Sequence, residues 1–572
     1  MAKIQNWKPE DPTFWREQGS ALAWRTCGVT TFSLIFSFAT WFVMSAVVVR
    51  MPAIGFKFTT SELFWLAAIP GLASGILRLI HSNFIPLLGT RPVISIATII
   101  KIIPMIWLGY AVQDLNTPWT TFMIIGFLCG MGGGDFSSFM PSTSIFFPKR
   151  LQGLAMGVQA GLGNFGVSAV QFVAPWIIGL AALGATAGGP LVFTKGEPIK
   201  GALTVVKEGK IVKDVSVAKA EYADAVQIIR DANGVITDVK LVETDKVKLI
   251  KADVEKDANG VITAVHPTKG MGVEVKRNDK GAITDVALRN VVKKPMWLQN
   301  AAFVWVPFLV VAAILSAVFL RSLQMPSRGF MGQFEILSSR NRARVHTWNC
   351  TMTYICSFGS FSGFSAAFPM LIKTLYGGFD GAPDPLQYAY IGPLLGGLVR
   401  MLMGGFFDKI GGSKGMQWTT IGQIGGVVFL VMGGYLTPTS MDQFGGFLWG
   451  MLWIFLMSGI NNAATFRQYP IVFAYSPAKG AQMLGWTGAW AAFGPFVWNS
   501  LIATSIDKTG TVNAFFIGTA VFYVYSLFVN WYYYTRNGAE RFDYGNAGGT
   551  WWDKLSDSEK DRMKRVDLGQ AA

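Results

Sequence analysis

Two arginines lie well inside hydrophobic segments, at matching positions in the two halves of the chain. The segment around Arg78 reads GILRLIHSNFIPLLG, and the segment around Arg400 reads GLVRMLMGGFFDKIG. When the two arginines are superposed, Gly75 also matches Gly397. A charged side chain inside a bilayer costs several kcal/mol, so such a residue is a functional candidate by default.

The chemistry that this pair offers is the binding of a small anion. Residues related by an internal repeat meet at the repeat interface, which is where transporters bind their substrates. A planar guanidinium donates paired hydrogen bonds to two oxygens of one anion. The alternative interpretation is snorkelling, in which each arginine extends towards the cytoplasmic surface along an apolar helix.

The composition predicts the elements that must position these arginines. The chain has 572 residues, of which 51% are hydrophobic and only 15% are charged, and this is typical of a polytopic membrane protein. Apolar runs long enough to cross a bilayer as helices occur twelve times. The predicted spans are 28–50, 63–83, 92–113, 119–141, 153–176, 299–321, 347–371, 387–407, 417–437, 443–465, 481–504 and 511–534.

The basic excess describes topology. The net charge is +15, yet residues 191–295 contribute only four of it, with 19 basic and 15 acidic residues. The rest concentrates in alternate loops, which the positive-inside rule makes cytoplasmic, with both termini on that side. We therefore expect no nucleic-acid partner. The basic loop residues are Lys149, Arg150, Arg340, Arg342, Arg344, Lys409, Lys414, Arg467 and Lys479.

Residues 191–295 differ from the apolar spans around them. They are polar, and they repeat the pattern DANGVITDV (231–239), DANGVITAV (257–265) and NDKGAITDV (278–286). Asn-Gly or Lys-Gly before a β-branched run is typical of a hairpin turn that leads into a strand. A calcium loop is the alternative, but Ile229 and Lys240 occupy positions where an EF-hand needs acids. We expect a small β-rich insert on the outer face.

The stretch GMGGGDFSSFMPSTSIFFPKRLQGLAMGVQAGLGNFGVSAVQFVAP (130–175) is rich in glycine, which permits close helix packing. It closely resembles the signature of the nitrate/nitrite porters (NarK type) of the major facilitator superfamily. TYICSFGSFSGFSAAFPML (353–371) and LQYAYIGPLLGGLVR (386–400) are also similar to that family. The resemblance implies an all-α polytopic membrane protein with the major facilitator fold, in which twelve transmembrane helices form two six-helix bundles. It also implies the bacterial cytoplasmic (inner) membrane.

The resemblance implies a substrate site as well. The anion-binding arginines of the family match Arg78 and Arg400, and the asparagine of its GLGN motif matches Asn164. An amide and a phenol add directed donors, and phenyl rings flank a flat anion. The aromatic residues implied at this site are Tyr354, Phe358, Phe136 and Phe38. For each of these residues, ordinary helix packing is the alternative interpretation.

The sequence departs from the family pattern at Asp135, where asparagine is expected. Asp135 is the one carboxylate deep in a predicted span, so it is a candidate for proton coupling. The alternative is a polar packing residue that bonds a neighbouring helix. Lys101 lies inside the third predicted span, and we expect it to snorkel. The insert and the bulky GWTGAWAAFGPF (485–496) are the other departures.

These observations favour a nitrate/nitrite antiporter. A nitrate/proton symporter that uses Asp135 is the first alternative, and a nitrate sensor or scaffold that presents the insert to a partner is the second. An enzyme is disfavoured, because the spans contain no nucleophile–base set. We expect nitrate, nitrite and the lipid bilayer as partners, no cofactor or metal, and a monomer.

The predicted organisation follows the spans. We expect an N-terminal bundle with helices 1–5 and, after the insert, helix 6; then a linker, a C-terminal bundle with helices 7–12 and a cytoplasmic tail. The boundaries are 1–190 for helices 1–5, 191–295 for the periplasmic insert, 296–321 for helix 6, 322–345 for the cytoplasmic linker, 346–535 for the C-terminal bundle and 536–572 for the tail.

Overall fold

The structure is a computed structural model. It describes residues 3–81, 83–181, 188–209, 211–250, 254–258, 262–266, 268–277, 281–324, 341–379, 381–545 and 548–568. Most of the predicted linker, residues 325–340, lies outside the described ranges, as do parts of the second and third turn repeats.

The first half of the chain is helical on both sides of a β-rich segment. Apolar, glycine-rich runs of this length form helices because a helix satisfies its own backbone hydrogen bonds. The helices are α1 (Pro12–Phe14), α2 (Ser20–Val47), α3 (Met51–Ile54), α4 (Thr60–His81), α5 (Phe84–Leu88), α6 (Thr90–Ile100), α7 (Ile102–Ala111), α8 (Trp119–Cys129), α9 (Met131–Gly134), α10 (Phe136–Ser144), α11 (Lys149–Ile177), α12 (Asn300–Phe303) and α13 (Trp305–Phe319). A π-helical turn, Trp15–Gly19, joins α1 to α2.

The second half is also helical. Its helices are α14 (Asn341–Tyr354), α15 (Ser360–Tyr376), α16 (Pro385–Ala389), α17 (Ile391–Ile410), α18 (Gly412–Met432), α19 (Phe444–Val472), α20 (Pro477–Ala491), α21 (Gly494–Thr509), α22 (Asn513–Asn530) and α23 (Asp557–Leu568). Two π-helical turns, Ile355–Gly359 and Trp531–Thr535, extend α14 and α22. The π-turn after α14 is important below, because such turns often lie at functional sites.

Nine helical segments within the described residues are long and apolar enough to cross a membrane. They overlap nine of the twelve predicted spans. The three remaining predictions, 153–176, 417–437 and 481–504, fall on α11, α18 and the α20–α21 pair, which are helical but lie outside those nine segments. Glycine, glutamine and asparagine on these helices lower their mean hydropathy.

In the described part of the segment between α11 and α12 there are nine strands: β1 (Leu191–Pro198), β2 (Leu203–Glu208), β3 (Ile211–Val217), β4 (Val226–Arg230), β5 (Ile236–Leu241), β6 (Val254–Lys256), β7 (Ile262–Val265), β8 (Thr268–Arg277) and β9 (Ile283–Met296). The strand order β1-β9-β8 forms one antiparallel sheet, and three hairpins pair β2 with β3, β4 with β5 and β6 with β7. The first sequence repeat makes the β4–β5 turn, where Asp231 Oδ1 accepts hydrogen bonds from the backbone of Asn233 and Val235. Gly234 has a φ of 78°, which favours glycine.

The two halves pack together through two long helix pairs, α4 with α21 and α11 with α17. A Cβ on Gly71 of α4 would lie 2.4 Å from the backbone nitrogen of Phe496, so only glycine permits this approach. The arginines of the repeated motif lie on α4 and α17, one on each of these pairs. The packing of the halves therefore determines how close the two guanidinium groups come.

Candidate anion-binding site

Arg78 lies one turn before the end of α4, and its side chain is only 1% exposed. Its Nε donates to the carbonyl of Gly133 at 2.8 Å, and its Nη1 donates to the carbonyl of Gly488 at 2.8 Å. Gly133 belongs to the first half and Gly488 to the second, so this guanidinium joins them. Its Nη2 has no hydrogen-bond partner among the described residues.

Arg400 lies in the middle of α17 and is 8% exposed. Within the described ranges it makes neither a hydrogen bond nor an ion pair with another residue, and its buried Nη2 is unpartnered. Neither Arg78 nor Arg400 has an acidic partner in the part of the chain that the structure describes. A buried charge without a partner is costly, so the site is suited to an anionic ligand.

One phenylalanine ring lies close to both guanidinium groups. The centroid of Phe358 is 5.4 Å from Cζ of Arg78 and 5.9 Å from Cζ of Arg400. Phe358 lies in the π-helical turn after α14, which places it against both halves. The rings of Phe136 and Phe466 are closer still, at 4.7 Å from Arg78 and 4.8 Å from Arg400 respectively. Guanidinium groups on aromatic faces are attracted by the ring quadrupole.

The other predicted aromatic residues extend this layer. Tyr354 is buried and stacks on Phe358 with ring centroids 5.9 Å apart. Phe38 is fully buried and stacks on Phe136 with ring centroids 6.2 Å apart. The structure therefore brings together all of the aromatic residues that the sequence singles out. Buried rings lower the local dielectric constant, which strengthens electrostatic attraction between the guanidinium groups and an anion.

Asn164 on α11 is 1% exposed, and neither its Oδ1 nor its Nδ2 has a partner among the described residues. A Cβ on Gly397 would lie 3.9 Å from Cβ of Asn164. Gly397 is one turn before Arg400 on α17, so Asn164 packs against the face of α17 that carries Arg400. Buried amides are almost always hydrogen-bonded, and an unpartnered one at this position fits a ligand.

Asp135 is also buried, but its charge is balanced. Its Oδ2 forms an ion pair with Nζ of Lys101 and accepts a hydrogen bond from Ser37 Oγ at 2.7 Å. The Nδ1 of His81 lies 3.6 Å from its Oδ1. Lys101 is 0% exposed, so the prediction that this lysine snorkels is wrong. A buried ammonium without a counter-ion is costly. The carboxylate of Asp135 provides that counter-ion inside the protein, so the side chain of Lys101 does not extend to the membrane surface.

Sequence reasoning missed two rings of the site. Phe466 on α19 packs against Arg400, and the centroid of Trp41 on α2 is 5.4 Å from Cζ of Arg78. The chain contains 43 phenylalanines and 20 tryptophans, so composition alone does not distinguish these two residues. Only the packing of α19 and α2 around the arginines identifies them.

Comparison with known proteins adds relatives over almost the whole chain. A probable nitrate/nitrite antiporter, NarK2 of Thermus thermophilus, is 42% identical over 538 residues, which is 94% of this chain and 98% of the relative. The nitrate/nitrite transporter NarU of Salmonella typhimurium is 29% identical over 555 residues, which is 93% of this chain and 96% of the relative. No protein-family model matches the chain.

The fold is similar to that of solved transporters. The structure of the xylose transporter XylE of Escherichia coli covers 89% of this chain with a TM-score of 0.53 and 12% identity. The human organic anion transporter MFSD10 covers 89% of it with a TM-score of 0.50 and 10% identity. The helices thus have the arrangement of the major facilitator superfamily, as the resemblance implies. At these identities the likeness concerns the fold only.

Proposed function

The chain belongs to the family of nitrate/nitrite transporters, and we propose that it imports nitrate in exchange for nitrite by alternating access. It is a multi-pass membrane protein and a transporter rather than an enzyme, because its relatives and its fold neighbours are transporters. The resemblance that the sequence indicates is confirmed. The exchange mode and the roles of individual residues belong to the proposal.

One observation carries the proposal. Two buried guanidinium groups, from Arg78 and Arg400, share the ring of Phe358 and have no acidic partner within the described ranges. A single small anion between them is held by donors from both halves of the protein. Nitrate and nitrite suit this position, because both are flat and weakly hydrated and both offer oxygens to planar donors.

The remaining site residues orient the anion in this proposal. The amide of Asn164 and the hydroxyl of Tyr354 provide directed hydrogen bonds to its oxygens. The rings of Phe358, Phe136 and Phe38 cover its flat faces and exclude water. The buried, unpartnered amide of Asn164 supports this assignment, as does the continuous stacking from Tyr354 to Phe358.

Exchange follows from the electrostatics of the empty site. Two buried positive charges resist reorientation across the bilayer, whereas an anion between them removes part of that charge. The loaded carrier therefore crosses more easily than the empty one. Nitrate bound on one side returns as nitrite from the other.

Alternating access requires contacts between the halves that break and re-form. Arg50 Nη2 lies 2.5 Å from Oδ2 of Asp384, and Nζ of Lys373 donates to the carbonyl of Val49. These contacts join the end of α2 to α15 and to the N-cap of α16. They lie on the side opposite the basic loops, which is the outer side by the positive-inside rule. We propose that they close the outer entrance in this conformation and break when the site opens outwards.

The proposed topology has twelve transmembrane helices in two six-helix bundles, with both termini in the cytoplasm of a bacterium. The nine strands that begin at β1 and end at β9 form the extracytoplasmic insert in this proposal, and the protein is a monomer in the inner membrane. The domain boundaries remain those that the sequence predicts, namely 1–190, 191–295, 296–321, 322–345, 346–535 and 536–572. The positions of the basic loops support this orientation.

Proton symport through Asp135 is the weaker candidate. Its carboxylate already forms an ion pair with Lys101 and accepts a hydrogen bond from Ser37. Symport would require this carboxylate to give up the ion pair in every transport cycle, and a buried ammonium without its counter-ion is costly. We therefore favour exchange and assign Asp135 a structural role.

Uptake into proteoliposomes tests the proposal. Vesicles that contain purified protein and internal nitrite should take up labelled nitrate, and vesicles with the Arg400→Lys variant should not. Chloride inside should not replace nitrite, since the site selects flat oxyanions. Equal uptake with nitrite, chloride or no internal anion would contradict the proposed exchange.

A further inference from the structure

A second buried amide lies on α19 near Arg400. Asn462 is 1% exposed, and in the described part of the chain neither its Oδ1 nor its Nδ2 has a hydrogen-bond partner. An amide in this state loses its bonds to water without gaining others, so a missing partner is expected. Asn164 on α11 is the only proposed anion ligand in the same state, with both amide atoms buried and unpartnered.

The position of Asn462 on its helix indicates where the missing partner binds. Phe466 is four residues further on, so it lies on the same face of α19, and its ring is 4.8 Å from Cζ of Arg400. Gly459 is three residues earlier, and a Cβ there would lie 2.4 Å from the carbonyl oxygen of Gly396 on α17. Asn462 therefore lies between two contacts with α17, at the level of Arg400, which follows Gly396 by one turn.

The neighbouring asparagine provides a contrast. Asn461 Nδ2 donates to Thr420 Oγ1 at 3.0 Å and to Gln423 Oε1 at 3.2 Å, and both acceptors are on α18. The amide of Asn461 thus bonds two helices of the same bundle. Asn462 is one residue further around the helix, and α18 does not satisfy it.

Donors are also distributed unequally around the two arginines. Arg78 has carbonyl partners for Nε and Nη1, from Gly133 and Gly488, so two of its five N–H groups are already used. Arg400 has no such partners within the described ranges, and two unpartnered amides flank its helix. Asn164 approaches α17 from α11, and Asn462 approaches it from α19. More donors therefore converge beside Arg400 than beside Arg78.

We propose that Asn462 donates a hydrogen bond from Nδ2 to the third oxygen of nitrate, the one that Arg400 does not pair, and so discriminates nitrate from nitrite. This inference rests on the proposed function. Nitrite has two oxygens, and at the third position its nitrogen carries a lone pair, set back by one bond length. A donor that reaches the third oxygen of nitrate does not reach that lone pair. Asn462 therefore binds nitrate more tightly than nitrite.

The test compares equilibrium affinities of purified full-length protein for nitrate and for nitrite. Asn462→Ala should weaken nitrate binding about tenfold, as expected for one lost hydrogen bond to a charged ligand. Nitrite binding should change less than about twofold, so the nitrate-to-nitrite affinity ratio falls. A structural role alone would weaken both anions equally. Asn461→Ala is the matched control, and it should leave the ratio unchanged.

Each other outcome has a defined meaning. If Asn462→Ala lowers both affinities equally, or lowers neither, Asn462 does not discriminate and the inference is wrong. If the alanine variant does not fold, Asn462→Asp keeps the size but replaces the donor by an acceptor. That variant should abolish nitrate binding, and unchanged nitrate binding by it overturns the inference. Failure of the unaltered protein to bind either anion would instead refute the proposed function.

Discussion

The pair of arginines, Arg78 and Arg400, and the buried lysine, Lys101, solve the same electrostatic problem in opposite ways. Lys101 is fully buried beside Asp135, so its charge is neutralised inside the protein. Arg78 and Arg400 are nearly as buried but have aromatic rings and, for Arg78, backbone carbonyls in place of carboxylates. A paired charge stabilises one structure, whereas an unpaired charge is available to a ligand that comes and goes.

The largest effect is expected from replacing the unpaired arginines. Arg78→Lys and Arg400→Lys keep the charge but remove the planar fork that pairs with two oxygens. We expect each variant to lose at least about 100-fold in nitrate affinity and to abolish exchange, because several charge-assisted hydrogen bonds are lost together. Exchange in proteoliposomes measures this. Lys409→Arg, on the exposed surface of α17, is the control. Exchange retained by both lysine variants would show that charge alone is sufficient.

Breaking the paired charge should affect stability first. Lys101→Met leaves the Asp135 carboxylate buried without a counter-ion, and we expect a loss of about 3–5 kcal/mol of folding stability. The double variant Lys101→Met/Asp135→Asn removes both charges and should recover most of that loss. Thermal unfolding in detergent measures both. A surface pair of the same type, Lys207 and Asp285 at 2.9 Å, provides the control, and breaking it should cost about 0–1 kcal/mol.

Transport by the double variant sharpens the comparison. If the pair is structural, the protein without either charge should still exchange nitrate for nitrite, because no charge has been added near the arginines. Loss of exchange together with intact folding would show that Asp135 takes part in transport.

A smaller effect is expected at the phenol of the site. Tyr354→Phe removes one hydroxyl and keeps the ring that stacks on Phe358. One neutral hydrogen-bond donor contributes about 0.5–1.5 kcal/mol, so the affinity for both anions should fall about two- to tenfold. Titration of the purified variant measures this. No change would remove Tyr354 from the proposed ligands and leave it as a packing residue.

The smallest effect is expected at the outer bridge, the partly exposed ion pair between Arg50 and Asp384. Arg50 and Asp384 are 12% and 26% exposed, so their pair should contribute at most about 1 kcal/mol. We expect Asp384→Asn to increase opening at this end at most about fivefold. A cysteine at Ser45 reports the opening, since Gln171 bonds both Ser45 and the carbonyl of Ser365 across the two halves. An unchanged rate of maleimide labelling would show that the bridge does not hold this end closed.

The two central residues of the candidate site are easier to identify from the sequence than the side chains that surround them. Arg78 and Arg400 are identifiable because charge inside an apolar run is rare, and the internal repeat relates them. Their near neighbour Phe466 is not identifiable, because a phenylalanine in such a run is ordinary. The ion pair between Lys101 and Asp135 joins residues 34 positions apart on different helices. Periodicity within one helix does not reveal which side chains meet across a bundle.

The membrane spans also differ in how easily the sequence identifies them. Hydropathy predicts twelve spans, and nine described segments satisfy a strict criterion of length and apolarity. The helix α11 does not, because the glycines and the buried Gln159, Asn164 and Gln171 that adapt it to the interior also lower its hydropathy. The polar residues that a helix buries inside the protein are thus those that make it harder to recognise as a membrane span.

The central claim is that the unpaired guanidinium charge makes the empty carrier cross slowly, and counterflow tests it most directly. Nitrate uptake would be followed in proteoliposomes with and without internal nitrite, and with and without an acidic exterior. The account predicts uptake that requires internal nitrite and does not respond to the pH gradient. Uptake into empty vesicles driven by an acidic exterior would contradict it, and would make Asp135 the coupling residue.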